Sequence, residues 1–130
     1  LAKKCKISAI IASTLAKDKT KLELKSKNQD KPGGISGQPA RNRSTKTIAY
    51  LYQNSEGKYK VIGTGGVFSG HDAYQKIKAG ANLVQLITGL IYNGPTTVNI
   101  INKQLENLIQ HDNFKHISEA VGIESDQYTL

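Results

Sequence analysis

The chain has 130 residues, 38% of them hydrophobic, with a formal net charge of +8. That suffices for one modest core and is too little for two domains. A single cysteine, Cys5, excludes an internal disulfide framework and a Cys-rich zinc site. The longest apolar stretch, residues 84–92, is interrupted by Gln85, Thr88 and Gly89. It falls well short of the roughly 18–20 apolar residues of a membrane span. The positive charge is concentrated early. Residues 1–60 hold 14 Lys/Arg against 4 Asp/Glu, and residues 61–130 hold 4 against 6. Sixteen Lys to two Arg, with no aromatic among the lysines of 17–31, reads as a solvated loop rather than a nucleic-acid surface. The chain contains no methionine and begins at Leu1, so it is expected to be a piece of a longer protein.

Residues 7–13 form a short, almost continuous apolar run that suits a buried strand, with Cys5 packing beside it. Residues 14–43 follow as one long Lys/Gly-rich connection, broken by Lys31-Pro32-Gly33-Gly34. Ser44 then caps a helix whose apolar face is Ile48, Leu51 and Tyr52, stopped by residues 54–57. Residues 59–64 read as a second strand, ended by Gly65-Gly66. A short helix runs from Ser69 or His71 to Ala79, with Ala73, Tyr74 and Ile77 inward and Gly80 closing it. Residues 82–88 are a third strand. Pro95 opens the longest helix, which buries Val98, Ile101, Leu105, Leu108 and Ile109. A last short helix, residues 116–121, ends at Gly122.

Strands alternating with helices imply parallel strands joined by right-handed crossovers. Three such strands leave sheet edges unpaired and make a poor isolated domain. The element count is that of the last three β/α units of a (β/α)8 barrel, a fold of about 250 residues. The expected fold class is therefore α/β: over 1–130, the C-terminal part of a TIM barrel, incomplete as a domain on its own.

Three glycine sites carry the chemistry: Gly33-Gly34-Ile35-Ser36-Gly37, Gly63-Thr64-Gly65-Gly66 and Thr88-Gly89. Glycine lets backbone N–H groups approach an anion without a Cβ in the way. In a β/α barrel a phosphate commonly sits between the loops after the last two strands. The same glycines would also serve as plain turn formers. No Walker pattern is present. His71, His111 and His116 lie far apart and read as surface histidines, and Asp72 and Glu106 as helix-surface charges. Ser36 has no obvious His or Asp partner and suits a phosphate or a turn better than nucleophilic work. No metal-ligand spacing occurs.

The stretch Gly33-Gly34-Ile35-Ser36-Gly37-Gln38-Pro39 with Ser44-Thr45 and Ile48 resembles class 2 dihydroorotate dehydrogenase. So does Val61-Ile62-Gly63-Thr64-Gly65-Gly66-Val67-Phe68-Ser69-Gly70-His71-Asp72-Ala73. Lys76-Ile77, Ala79-Gly80-Ala81-Asn82-Leu83-Val84-Gln85-Leu86 and Gly94-Pro95 continue the resemblance in order. It implies an FMN-holding oxidoreductase barrel of pyrimidine biosynthesis. Such a flavoprotein oxidises dihydroorotate to orotate, hands the electrons to a quinone, and sits on the bacterial or mitochondrial inner membrane. On this chain the implied cofactor positions are Ser13, Gly37, Gly65, Gly66, Ile87, Thr88 and Gly89, with Ile87 standing where the family usually has Tyr. The family's Thr-Asn-Thr motif, whose Asn and second Thr help hold substrate, falls on Ser13, Thr14 and Leu15, so both substrate positions are altered. The catalytic serine, the flavin lysine and the membrane attachment belong to the N-terminal half of the barrel. That half is the expected partner, beside dihydroorotate and quinone, and no catalytic residue falls within 1–130. The alternative is a degenerate relative kept as a structural subunit of a larger assembly, a mitochondrial one included.

Overall fold

The computed structural model describes residues 5–13, 15–20, 22, 24 and 31–128. Three parallel strands, β1 (Ala9–Ala12), β2 (Lys60–Thr64) and β3 (Leu83–Gln85), form one sheet in the order β1-β2-β3. Helix α1 (Arg41–Gln53) connects β1 to β2, and α2 (Gly70–Lys78) connects β2 to β3. A short α3 (Thr88–Asn93) and the long α4 (Thr97–His111) follow. This is the β/α alternation expected from the sequence.

The strand period of two decides where the core sits. Val61 and Ala12 turn toward the helices and join Ile48, Ala49, Tyr59, Ala79 and Ala81 in one buried cluster. Gly63 lies on that side too, and a Cβ there would stand 2.8 Å from Ile48 Cδ1 and 3.0 Å from Ala81 Cβ. Smaller clusters continue the core under α2 and α4, around Val67, Ala73 and Ile101 and around Tyr74, Ile77 and Ala120.

The opposite face carries a cross-strand row, Ile11 beside Ile62 beside Leu83. Ile11 is 57% exposed and Leu83 64%. The expectation of a buried first strand therefore holds for one face only. No described element covers the other, as befits a sheet segment whose far side would line a barrel interior. Cys5, expected to pack beside this strand, is exposed.

Several boundaries differ from the sequence reading: β1 is shorter than 7–13, and α4 begins at Thr97 rather than at Pro95. The connection of 14–43 ends earlier, because Pro39 leads a 3-10 turn (Gln38–Ala40) straight into α1 at Arg41. Ser44 is consequently inside the helix, buried, and its hydroxyl donates to the Thr64 carbonyl instead of capping. Residues 86–88 leave the sheet, and Thr88 begins α3, an element absent from the sequence reading. Gly89 permits that turn: a Cβ there would meet the Val67 carbonyl oxygen at 2.1 Å. The last helix is a 3-10 turn (Ile117–Ala120). On α4, Ile101 is buried and Leu105, Leu108 and Ile109 are half-buried, but Val98 is 43% exposed.

The connection after β1 is pinned at one point. Ala16 and Ile35 exchange backbone hydrogen bonds of 2.9 Å in both directions, an antiparallel bridge closing its neck. At the other end of the fold, Tyr52 of α1 is wedged between two left-handed glycines. Gly80 (φ +122°), which follows α2, would place a Cβ 2.3 Å from Tyr52 Cβ, and Gly122 (φ +82°) would place one 2.2 Å from Tyr52 Cε1. Here the left-handed φ and the ring both demand glycine. Gly80→Ala is expected to cost about 2–4 kcal/mol, from left-handed strain plus overpacking. Thermal denaturation will show a large drop in Tm, whereas Ala at the unobstructed Gly57 (φ +72°) loses only the strain part.

Candidate functional site

Parallel strands deliver their C-terminal ends to one edge of the sheet, so the loops leaving β1, β2 and β3 meet there. They enclose a cavity of about 270 Å³. Leu15 contributes from beyond β1, Thr64, Gly65, Gly66 and Val67 from the end of β2, and Leu86, Ile87, Thr88 and Gly89 from beyond β3. Ser36 and Gly37 close it from the long connection. Of the residues singled out in the sequence, Leu15, Gly37, Gly65, Gly66, Ile87, Thr88 and Gly89 are thus brought together. Ser13 lies behind the wall: its carbonyl oxygen is 2.7 Å from where a Gly65 Cβ would stand. Thr14 lies outside the described residues. Thr64, within the Gly63-Thr64-Gly65-Gly66 site, also lines the cavity, whereas Val67 and Leu86 were not singled out as site residues, their only signal being nearness to the glycine sites.

The turn after β2 explains its glycines. Gly65 (φ +101°) and Gly66 (φ +72°) are consecutive left-handed residues. A Gly66 Cβ would fall 2.6 Å from Arg41 Cβ and 2.7 Å from its Cα. The turn is therefore pressed between the end of β1 and the start of α1. On its outer side Arg41 Nε donates to the Gly66 carbonyl at 3.0 Å and pairs with Asp72 Oδ1 at 3.1 Å. Asp72 Oδ2 accepts from the Phe68 N–H at 3.0 Å and from Ser69 Oγ at 2.9 Å, while Ser69 Oγ caps α2 by accepting from the Asp72 N–H. The sequence reading of Asp72 as a surface charge is corrected: it is buried, because Arg41, Phe68 and Ser69 draw its carboxylate under the loop.

Beneath the same turn lies Lys76 of α2, fully buried. Its Nζ donates to Ser44 Oγ at 3.0 Å and to Thr45 Oγ1 at 3.3 Å. Ser44 passes the chain on to the Thr64 carbonyl, and Thr45 donates to the Arg41 carbonyl at 3.0 Å. Burial pushes the Lys76 ammonium down to about 8, against the opposing pull of the Asp72 carboxylate.

Among the described residues, the cavity lining carries no charged side chain. Its polar groups are the hydroxyls of Ser36, Thr64 and Thr88 and the peptides of four glycines. Thr88 Oγ1 donates to Ser36 Oγ at 3.1 Å, joining the wall after β3 to the Gly37 wall. Its apolar groups are Leu15, Val67, Leu86 and Ile87. Such a lining suits a ligand with an apolar planar part and an anionic tail held by N–H and O–H donors. Among the described residues no cluster of His, Cys, Asp or Glu could hold a metal. His71, His111, His116 and Glu106 are exposed and away from the cavity.

The dihydroorotate dehydrogenase family profile matches residues 1–109. Proteins named dihydroorotate dehydrogenase (quinone) from Crocosphaera subtropica and Nostoc punctiforme are each 42% identical over 130 residues, covering 95% of this chain and 34% and 35% of the relatives. One from Rippkaea orientalis is 48% identical over 101 residues, covering 78% of this chain and 27% of the relative. The chain thus spans about a third of the length of the curated relatives it matches. Crystal structures of DHODH from Eimeria tenella superpose with a TM-score of 0.88 in the ferulenol complex and 0.89 in the ligand-free form, at 28% identity. They cover 95% of this chain, and it covers 32% and 34% of theirs, so the α/β fold is a segment of a TIM barrel.

The buried lysine generates a pH signature. Between about pH 8 and 10 the folded chain has released the Lys76 proton and the unfolded chain has not. The unfolded state then binds more protons, and stability rises with pH across that window. Tyr74, pushed up by burial and by its bond to Asp112, acts oppositely above pH 10. Lys76→Met, similar in length and apolar, removes the first effect and keeps the second. The wild-type protein is expected to gain about 2 kcal/mol on the variant from pH 8 to 10. Urea unfolding at the two pH values checks this, and a pH-independent difference contradicts it.

Proposed function

This chain belongs to the dihydroorotate dehydrogenase family, and from that premise we propose that it forms the FMN-phosphate end of a quinone-linked dihydroorotate dehydrogenase. The observation that carries the reading is convergence. Gly37, Gly65, Gly66, Thr88 and Gly89, far apart in sequence, meet in one cavity at the C-terminal edge of three parallel strands. FMN held there would supply the two-electron redox chemistry that links dihydroorotate oxidation to quinone reduction. The chain's own residues bind and orient. Glycine peptides and the Thr88 and Ser36 hydroxyls hold the anionic tail, Val67, Leu86 and Ile87 exclude water beside it, and Ser13 supports the Gly65 turn from behind.

Dihydroorotate and quinone belong to the complete protein, whose remaining β/α units are the partner that covers the Ile11–Ile62–Leu83 face. The catalytic serine and flavin lysine are assigned to those units, as is attachment to the inner membrane, bacterial or mitochondrial. None of the described helices is long and apolar enough to cross a membrane.

Leu15 bears on substrate handling. It lines the cavity with an apolar side chain where the family's motif has a threonine. A missing neutral hydrogen bond is worth about 0.5–1.5 kcal/mol.

Two measurements test the reading. Denaturing mass spectrometry of the purified complete protein is expected to release FMN, one per chain, and finding no flavin, or a different one, overturns it. Leu15→Thr is expected to raise kcat/KM for dihydroorotate by roughly 2- to 10-fold, and an unchanged value removes Leu15 from the substrate site.

A further inference from the structure

Lys76 does not line the cavity, yet its position relates to little else. Its stem runs beneath β2, where a Gly63 Cβ would lie 3.5 Å from Lys76 Cβ. Its ammonium ends on Ser44, and Ser44 is pressed against the turn: a Gly65 Cβ would be 3.3 Å from both Ser44 Cβ and Oγ. Ser44 in turn donates to the carbonyl of Thr64, whose peptide continues into the N–H of Gly65. Both residues of that peptide are cavity wall. A donor on a peptide carbonyl polarises the amide and makes its N–H a stronger donor, and a cation on the hydroxyl oxygen strengthens the effect. The charged groups near the ammonium are Asp72 on its own helix and Arg41 on α1, and these two are paired with each other. The lysine's charge is therefore not spent on a carboxylate of its own.

We propose that Lys76 is a positioning residue for the anionic group of the flavin: through Ser44 it fixes and polarises the Thr64–Gly65 peptide of the cavity wall without touching the ligand. A buried ammonium is costly to keep where an apolar residue of similar volume would serve the core. At this place it puts positive charge behind the Thr64–Gly65 peptide of the cavity wall, and no charged side chain among the described lining residues does so. The inference rests on the flavin-phosphate reading and adds to it a residue outside the site's contact shell.

The test compares two flavins that differ only in the phosphate. Flavin is stripped from the complete protein, and Kd is measured for FMN and for riboflavin in the wild type, Lys76→Met and Ser44→Ala. Lys76→Met leaves the Ser44 and Thr45 hydroxyls donating to their carbonyls, and Ser44→Ala gives a second, milder break in the same relay. The expected result is FMN affinity falling about tenfold or more in each variant, with riboflavin unchanged within about twofold. The double variant should be little worse than either single one, because both act on one relay. The ³¹P resonance of bound FMN should shift in both. Parallel losses for FMN and riboflavin would make Lys76 a purely structural residue and overturn the proposal, as would no loss at all. A wild-type protein that fails to prefer FMN to riboflavin would instead sink the phosphate reading itself.

Discussion

The junction beneath Thr64 is the constraint on which the rest depends. A lysine ammonium with no exposure sits where α1, α2 and the end of β2 meet, and two hydroxyls of α1 satisfy it. Because those hydroxyls also hold the carbonyls of Thr64 and Arg41, the start of α1 and the last residue of β2 are tied to one atom. Arg41 then reaches over the turn to Gly66 and Asp72, and Asp72 reaches on to Phe68 and Ser69. One side chain sets the inner limit of the Gly65-Gly66 turn and another the outer. No Cβ can be accommodated between them, so two left-handed glycines follow from the packing.

The sheet divides the molecule into a finished and an unfinished side. Toward the helices, small residues such as Ala12, Gly63 and Ala81 let α1 and α2 sit close. Away from them, branched apolar side chains stand in register on neighbouring strands with no described element above them. Both follow from strict alternation along each strand, which gives the short apolar runs two different neighbours. The cavity lies at the rim common to both sides, which explains its mixed lining.

Much of this was legible in the chain. The β/α alternation, the parallel order and the meeting of Gly65-Gly66 with Thr88-Gly89 at strand ends follow from local patterns, while Gly37 joined them only through the family resemblance. What was not legible involves partners distant in sequence. Ser44 has the residue type and place of a helix cap, and only the Thr64 carbonyl twenty residues on turns it inward. Asp72 looks like a first-turn surface acid until Arg41 pairs with it from 31 residues away. Residues 86–91 carry the branched apolar side chains of a strand. The close approach of the Val67 carbonyl to Gly89 makes them a helix start instead. Lys76 gives no local sign of burial among the lysines of a basic chain.

The backbone bridge between Ala16 and Ile35 acts as a clasp within one connection. The residues just outside its neck, Leu15 and Ser36, are cavity wall and are held at a fixed separation by the bridge. The bridge sets that separation independently of the number of residues it closes off, since lengthening a closed loop adds little entropic cost. It also makes the closed-off segment the natural place to graft a reporter or a tether.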